Sequence, residues 1–173
     1  LLDNGGIDLG IVNSEQPAKG GQSEHLMRCD LFHISRSQRN EGTSVVDPIL
    51  FRDAAASPLL LFGRQHALRR AIDSAARHHG IELKVHAQID EFQAMRRMIL
   101  ESGAATILPL TLVGSWTTDP TLAKRRVIEP TIALYYRVVF PNAEVSPIVS
   151  GLARLIHRVV RQALAEGRVD GRL

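Results

Sequence analysis

The sequence predicts an α/β fold, and three observations carry that prediction. A helix, a terminating glycine and an apolar strand recur at Gly5/Gly6, Gly80 and Gly103, the rhythm of alternating elements around a largely parallel sheet. Apolar residues repeat at three and four along some segments and run together, or alternate, in short branched stretches along others. The 173 residues are 45% apolar, 23% charged and 5% aromatic, enough for one ordinary domain or two small lobes.

The same numbers exclude other classes. One cysteine, Cys29, rules out a disulfide scaffold, and 13 Gly and 8 Pro without period rule out collagen and low complexity. No stretch reaches the roughly 18 apolar residues of a membrane span. The net charge is only +3, and its arginines scatter over polar helix positions, so charge alone does not call for nucleic acid.

Along the chain, Leu1-Leu2 run into Asn4-Gly5-Gly6, a helix stop, so the chain is expected to open in the last turn of a helix. Residues 7–12 (IDLGIV) read as a buried strand, 13–24 as a loop, 28–35 (RCDLFHIS) as a second strand and 36–44 as another loop. Residues 45–53, interrupted by Pro48, read as a connection with an edge strand at most. Residues 58–62 (PLLLF) form the most hydrophobic run, feeding a helix with Leu68, Ala71, Ile72, Ala75 and Ala76 on one face and Gly80 at its end. Residues 81–88 return as a strand. Asp90 with Gln93 has capping-box spacing for a helix that turns Phe92, Met95, Met98 and Ile99 inward and stops at Gly103. Residues 104–110 are a strand, a loop passes Trp116 and Pro120, and 133–140 (ALYYRVVF) make a last strand. Ser146-Pro147 opens a long helix, cap then first position, with Ile148, Leu152, Leu155, Ile156, Val159, Val160, Ala163 and Leu164 inward and Gly167 at its end. The tail 168–173 reads as frayed.

Catalytic motifs are missing: no G-x-G-x-x-G after a strand, no G-x-x-x-x-G-K-[ST], no H-E-x-x-H, no G-x-S-x-G. Cys29, mid-strand, reads as a small buried hydrophobe, and the seven histidines lack ligand spacing, so no catalytic residue, metal or cofactor is expected. What remains is geometry. The loops Gly63-Arg64-Gln65-His66 and Ile89-Asp90-Glu91 each join the carboxyl end of a strand to a helix, the edge where open α/β sheets bind ligands. Helix N-termini there favour small anions, Gly63 permits close approach, and Arg64 offers a bidentate grip on a carboxylate.

Several stretches carry a resemblance: G-x-D-L-G-I-V at 6–12, P-L-L-L from Pro58, L-R-R-A-I-D-S-A at 68–75 with H-H-G-I after it, D-E-F-Q-A-M at 90–95, and above all S-G-A-A-T-I-L-P at 102–109. In this order they resemble the effector-binding domain of LysR-type transcriptional regulators, with Ala105 where the family's second Gly falls. The resemblance implies a two-lobed, type II periplasmic-binding-protein-like fold with an incomplete first lobe, residues 1–52 plus 142–173, and a second lobe, 53–141. It implies a cytoplasmic sensor that binds a small-molecule effector, favoured here as anionic, in a cleft. Such a sensor works as a homodimer or homotetramer, reaches DNA only through an N-terminal helix-turn-helix outside this chain, and uses no membrane. The site carried over is Gly63, Arg64, Gln65 and His66, Asn13 and Ser14 at the end of the first strand, and Ile89, Asp90, Glu91 and Phe92. The mechanism implied is a population shift without chemistry on the ligand. An extracytoplasmic solute-binding protein of the same architecture and an α/β enzyme with an unfamiliar site are the alternatives.

Overall fold

A computed structural model describes residues 7–14, 23–37, 46–140 and 145–173. In chain order the strands and helices are β1 Gly10–Ser14, β2 Ser23–Asp30, β3 Phe32–Arg36, β4 Val46–Leu50, α1 Phe51–Ala56, β5 Leu59–Leu61 and α2 Ala67–His78. They continue with β6 Val85–Gln88, α3 Phe92–Ser102, β7 Ala105–Leu108, β8 Leu122–Ile128, β9 Ala133–Val139 and α4 Pro147–Ala165. The helix stop at Gly5/Gly6 and most of the loops at 13–24 and 36–44 lie outside the described residues.

The chain divides into two compact units, Leu1–Cys29 with Leu134–Leu173, and Asp30–Ala133. The second is built on a six-stranded sheet in the order β4-β8-β3-β7-β5-β6. It is mixed rather than largely parallel: β3 runs antiparallel to β7 and β8, while β4 with β8, and β5 with β6 and β7, are parallel. This pairing also moves the division expected at 52/53 and 141/142. Strands β3 and β4 hydrogen-bond within the sheet that holds β5, so 30–37 and 46–52 group with the second unit.

The run read as one strand at 28–35 is two strands. Leu31 interrupts it, its N–H donating to Ile132 O at 2.9 Å and its carbonyl accepting from Val127 N at 3.0 Å. Alternation continues through the break, so only the change of partners reveals it. The apolar core of the second unit takes Phe32, Ile34, Phe51, Leu59, Leu60, Leu61, Ile72, Met95, Ile99 and Ile107, all at most 2% exposed. Burial of each such side chain stabilises by about 1.5–3 kcal/mol. Pro48 does sit on an edge strand, β4, at a register irregularity between Val46 and Ile49. The short α1 follows at once and buries Phe51, Ala54 and Ala55.

Strand β8 lies where a loop was expected, because LAKRRVI puts a lysine at an inward position. Lys124 is fully buried, and its Nζ donates to the carbonyls of Thr117 and Asp119 at 3.1 Å and of Trp116 at 3.4 Å. Burial lowers its pKa and nearby Asp119 opposes that shift. The ammonium thus ties down the 3-10 turn Gly114–Thr118, which buries Trp116.

In the other unit the sheet order is β1-β9-β2, with β1 antiparallel to β9. Its core joins Leu26, Val138 and Ala153, with Leu9, Tyr136, Phe140, Ile156 and Val160 packed against them. Helix α4 begins as expected: Ser146 accepts from Val149 N and proline follows it. Its inward set is narrower. Ile148, Leu152, Leu155 and Val159 are 84, 47, 50 and 51% exposed, because the described part of this unit meets one half of a wide apolar arc. The tail is tied rather than frayed. Arg28 and Arg172 exchange backbone hydrogen bonds of 2.7 and 2.9 Å, and Gly171 makes the approach possible, since a Cβ there would lie 2.9 Å from the Arg28 carbonyl oxygen.

Candidate functional site

The two expected loops meet. Strand β5 ends at Phe62, and Gly63 to His66 turn tightly into α2, with His66 N–H donating to Gly63 O at 3.0 Å. The turn is anchored by a residue that the sequence reading left on the surface. Arg69 is 4% exposed; its Nη1 donates to Phe62 O at 3.2 Å and its Nε to Asp73 Oδ1 at 2.8 Å. The i, i+4 spacing of Arg69 and Asp73 was the available signal, but that spacing is equally common on solvated helix faces.

Across the sheet, Ile89 N–H donates to Leu61 O at 2.9 Å, which places the β6–α3 loop beside the first. Asp90 is not the helix cap. Helix α3 starts at Phe92, so Glu91 occupies the capping position, and its carboxylate accepts from Gln93 N at 2.7 Å and from Ala94 N. Asp90 is thereby left to reach across: its Oδ1 accepts from Gly63 N–H at 2.9 Å and lies 3.4 Å from His66 Nε2. The aromatic rings of these loops adjoin one another in tilted and edge-to-face contacts. Phe62 lies 5.1 Å from His66 and 5.4 Å, edge to face, from Phe92, which lies 6.3 Å from Trp116.

The two helix N-termini differ. Glu91 already satisfies two amides of α3, whereas α2 begins at His66 with no side-chain cap and no acid in its first turn. Its leading N–H groups stay available to an anionic group, with exposed Arg64 beside them. Gln65 is held through its carbonyl by Arg70 Nη1 at 2.6 Å. The atoms nearest a Cβ on Gly63 would be those of the flexible Gln65 amide, at 2.5 to 2.9 Å. His66 and Asp90 are 45 and 54% exposed side chains, and among the described residues no hydroxyl or thiol hydrogen-bonds to either. The arrangement offers donors, one carboxylate and an aromatic floor, which suits gripping a small polar molecule.

Asn13 and Ser14 belong to the other unit, at the end of β1, opposite Tyr136 and Tyr135 of β9. Cys29 is fully buried. Among the described residues no group of three or more His, Cys, Asp or Glu side chains converges as for a metal, and no helix is long and apolar enough to cross a membrane.

The family model described as LysR substrate binding domain matches residues 1–170. Among solved structures, the chain is similar to the CcmR regulatory domain of Synechocystis PCC6803 in complex with 2-PG, at 15% identity and TM-score 0.72, covering 92% of this chain and 76% of that one. It is similar to the effector binding domain of QuiR in complex with shikimate, at 19% identity and TM-score 0.66, covering 93% and 75%. The LysR family transcriptional regulator CbnR matches at 19% identity and TM-score 0.66, covering 90% of this chain and 53% of that longer one. No curated protein sequence matches at a significant level.

Proposed function

The chain belongs to the LysR substrate-binding domain family, and on that premise we propose that Gly63 to His66 with Ile89 to Phe92 form the wall of its effector site. The family is the effector-binding module of transcription regulators, with a type II periplasmic-binding-protein-like fold, and is not an enzyme family. The chain accordingly senses a small molecule for such a regulator, and the solute-binding alternative is not favoured.

The observation that supports the site is the Asp90 bridge to Gly63 and His66, which makes one surface of two loops 27 residues apart. In this reading the effector carries an anionic group that meets the α2 amides and Arg64, and a hydrogen-bonding group that meets Asp90 or His66. The three-stranded unit, which carries the expected contact residues Asn13 and Ser14, is taken as lobe I and the six-stranded unit as lobe II. The ligand is held and not transformed. It favours one arrangement of the regulator by its differential affinity, within a cytoplasmic homodimer or homotetramer that reaches DNA through a helix-turn-helix elsewhere in the protein. In a reporter strain carrying the whole regulator, Arg64→Ala and His66→Ala are each expected to raise the effector concentration for half-induction about tenfold, the loss of one charge-assisted contact. Unchanged induction for both dismisses these loops as the site.

A further inference from the structure

Strands β5 and β6 carry the effector loops at their carboxyl ends, and at the amino ends of β5 and its parallel neighbour β7 the same six-stranded unit has a separate hollow of about 540 Å³. Its wall includes His33, Ser35 and Arg36 from β3, Ser57 and Pro58 before β5, and Gly103 at the end of α3. We propose that this hollow is a second binding site, for a small molecule bearing a carboxylate or phosphate group.

The volume lies in the range that encloses metabolite-sized ligands. None of the lining residues is acidic. The lining chemistry suits an anion: Arg36 spends one N–H of its guanidinium on Leu100 O, at 3.2 Å, which leaves four more, and Ser35 and Ser57 are also in the wall.

The second observation is His33. Alternation along β3 turns Phe32 and Ile34 to one face and His33 and Ser35 to the other, so a polar ring sits in an interior position, 5% exposed. Its Nε2 pairs with Ser57 Oγ at 3.3 Å, and among the described residues its buried Nδ1 has no hydrogen-bond partner. An interior ring nitrogen left unpaired is costly, and an ordinary core position would hold an aliphatic residue instead. The His33–Ser57 pair forms part of the wall of the hollow, and the Arg125 cation opposite His33 in the sheet favours a ligand there that is negative.

Nuclear magnetic resonance of the purified protein tests this with inorganic phosphate and, separately, acetate, each added at constant ionic strength against chloride. The His33 ring nitrogens and the Gly103 and Ala105 amides are expected to shift along a saturable curve with at least one of the two ions. Arg36→Ala, a substitution of an exposed residue, is expected to raise the midpoint about tenfold, the loss of one charge-assisted contact. His66→Ala, in the effector loop, is expected to leave it unchanged, which separates this site from that one. Shifts that stay linear with both ions, a curve that survives Arg36→Ala, or a curve abolished by His66→Ala overturns the proposal.

Discussion

The two units use their apolar residues differently. In the six-stranded unit, strands β3, β5 and β7 are buried almost throughout and helices α1, α2 and α3 add their inner faces, so its apolar sequence and its core coincide. In the three-stranded unit, α4 buries two alanines and packs Ile156 and Val160 on a small core, while four larger side chains stay exposed. An amphipathic pattern therefore measures how much surface a helix is able to bury, and the neighbours decide how much it does bury.

The widest test of that contrast compares two leucines. Leu60→Ala, in the buried β5, is expected to cost about 2–5 kcal/mol, and Leu155→Ala, on the exposed arc of α4, less than about 0.5 kcal/mol. Urea titration reads both. The single tryptophan, Trp116, is 3% exposed and reports the six-stranded unit by its fluorescence, while hydrogen exchange at the α4 amides follows the other unit. Equal costs would mean that burial in the two units does not differ as described.

Acid sharpens the comparison next. Burial, and then Arg125, lower the His33 pKa to about 4. In the unfolded chain the ring titrates near its usual value of about 6.5, so between those values the unfolded state binds more protons. The stability gained by keeping the ring neutral is complete above pH 6.5 and falls as pH drops toward 4, by about 3 kcal/mol. The loss belongs to the six-stranded unit. Trp116-detected urea midpoints are expected to fall steeply over this window in the parent protein and less steeply in His33→Gln; parallel slopes would contradict it.

The smallest effect is confined to the other unit. Gly171→Ala brings a methyl to 2.9 Å from the Arg28 carbonyl oxygen and 3.3 Å from Cys29 Sγ, at a cost of about 1–3 kcal/mol. Hydrogen exchange at the Arg28 and Arg172 amides is expected to speed up with the Trp116 transition unmoved. Retained protection would show that the tail is held by something other than that pair of hydrogen bonds.

Much of this was legible from the sequence, for reasons that differ by residue. Helix α2 falls where periodicity puts it, and Gly103 ends α3 with φ at 70°, as a stop signal should. The meeting of the Gly63 and Asp90 loops follows from parallel β5 and β6, which the strand-helix rhythm implies. Asp90 itself was misplaced, because Asp at one position and Glu at the next are both competent caps and only the true helix start separates them. Arg69 and Lys124 were hidden for a stronger reason. A buried cation is recognised by the carbonyls that surround it, and those come from Phe62 for the one and from Trp116, Thr117 and Asp119 for the other.

The sequence by itself determined what depends on neighbours a few residues away: helix starts such as Ser146-Pro147, stops such as Gly103, and the apolar runs that become strands. These are settled by backbone sterics and local hydrogen bonds. Only the tertiary structure decided that residues 28–35 split between two sheets, that Asp90 leaves its helix for Gly63, and which part of the α4 arc is covered. Each of those depends on a partner far along the chain, and alternation or periodicity within one segment carries no information about the partner across from it.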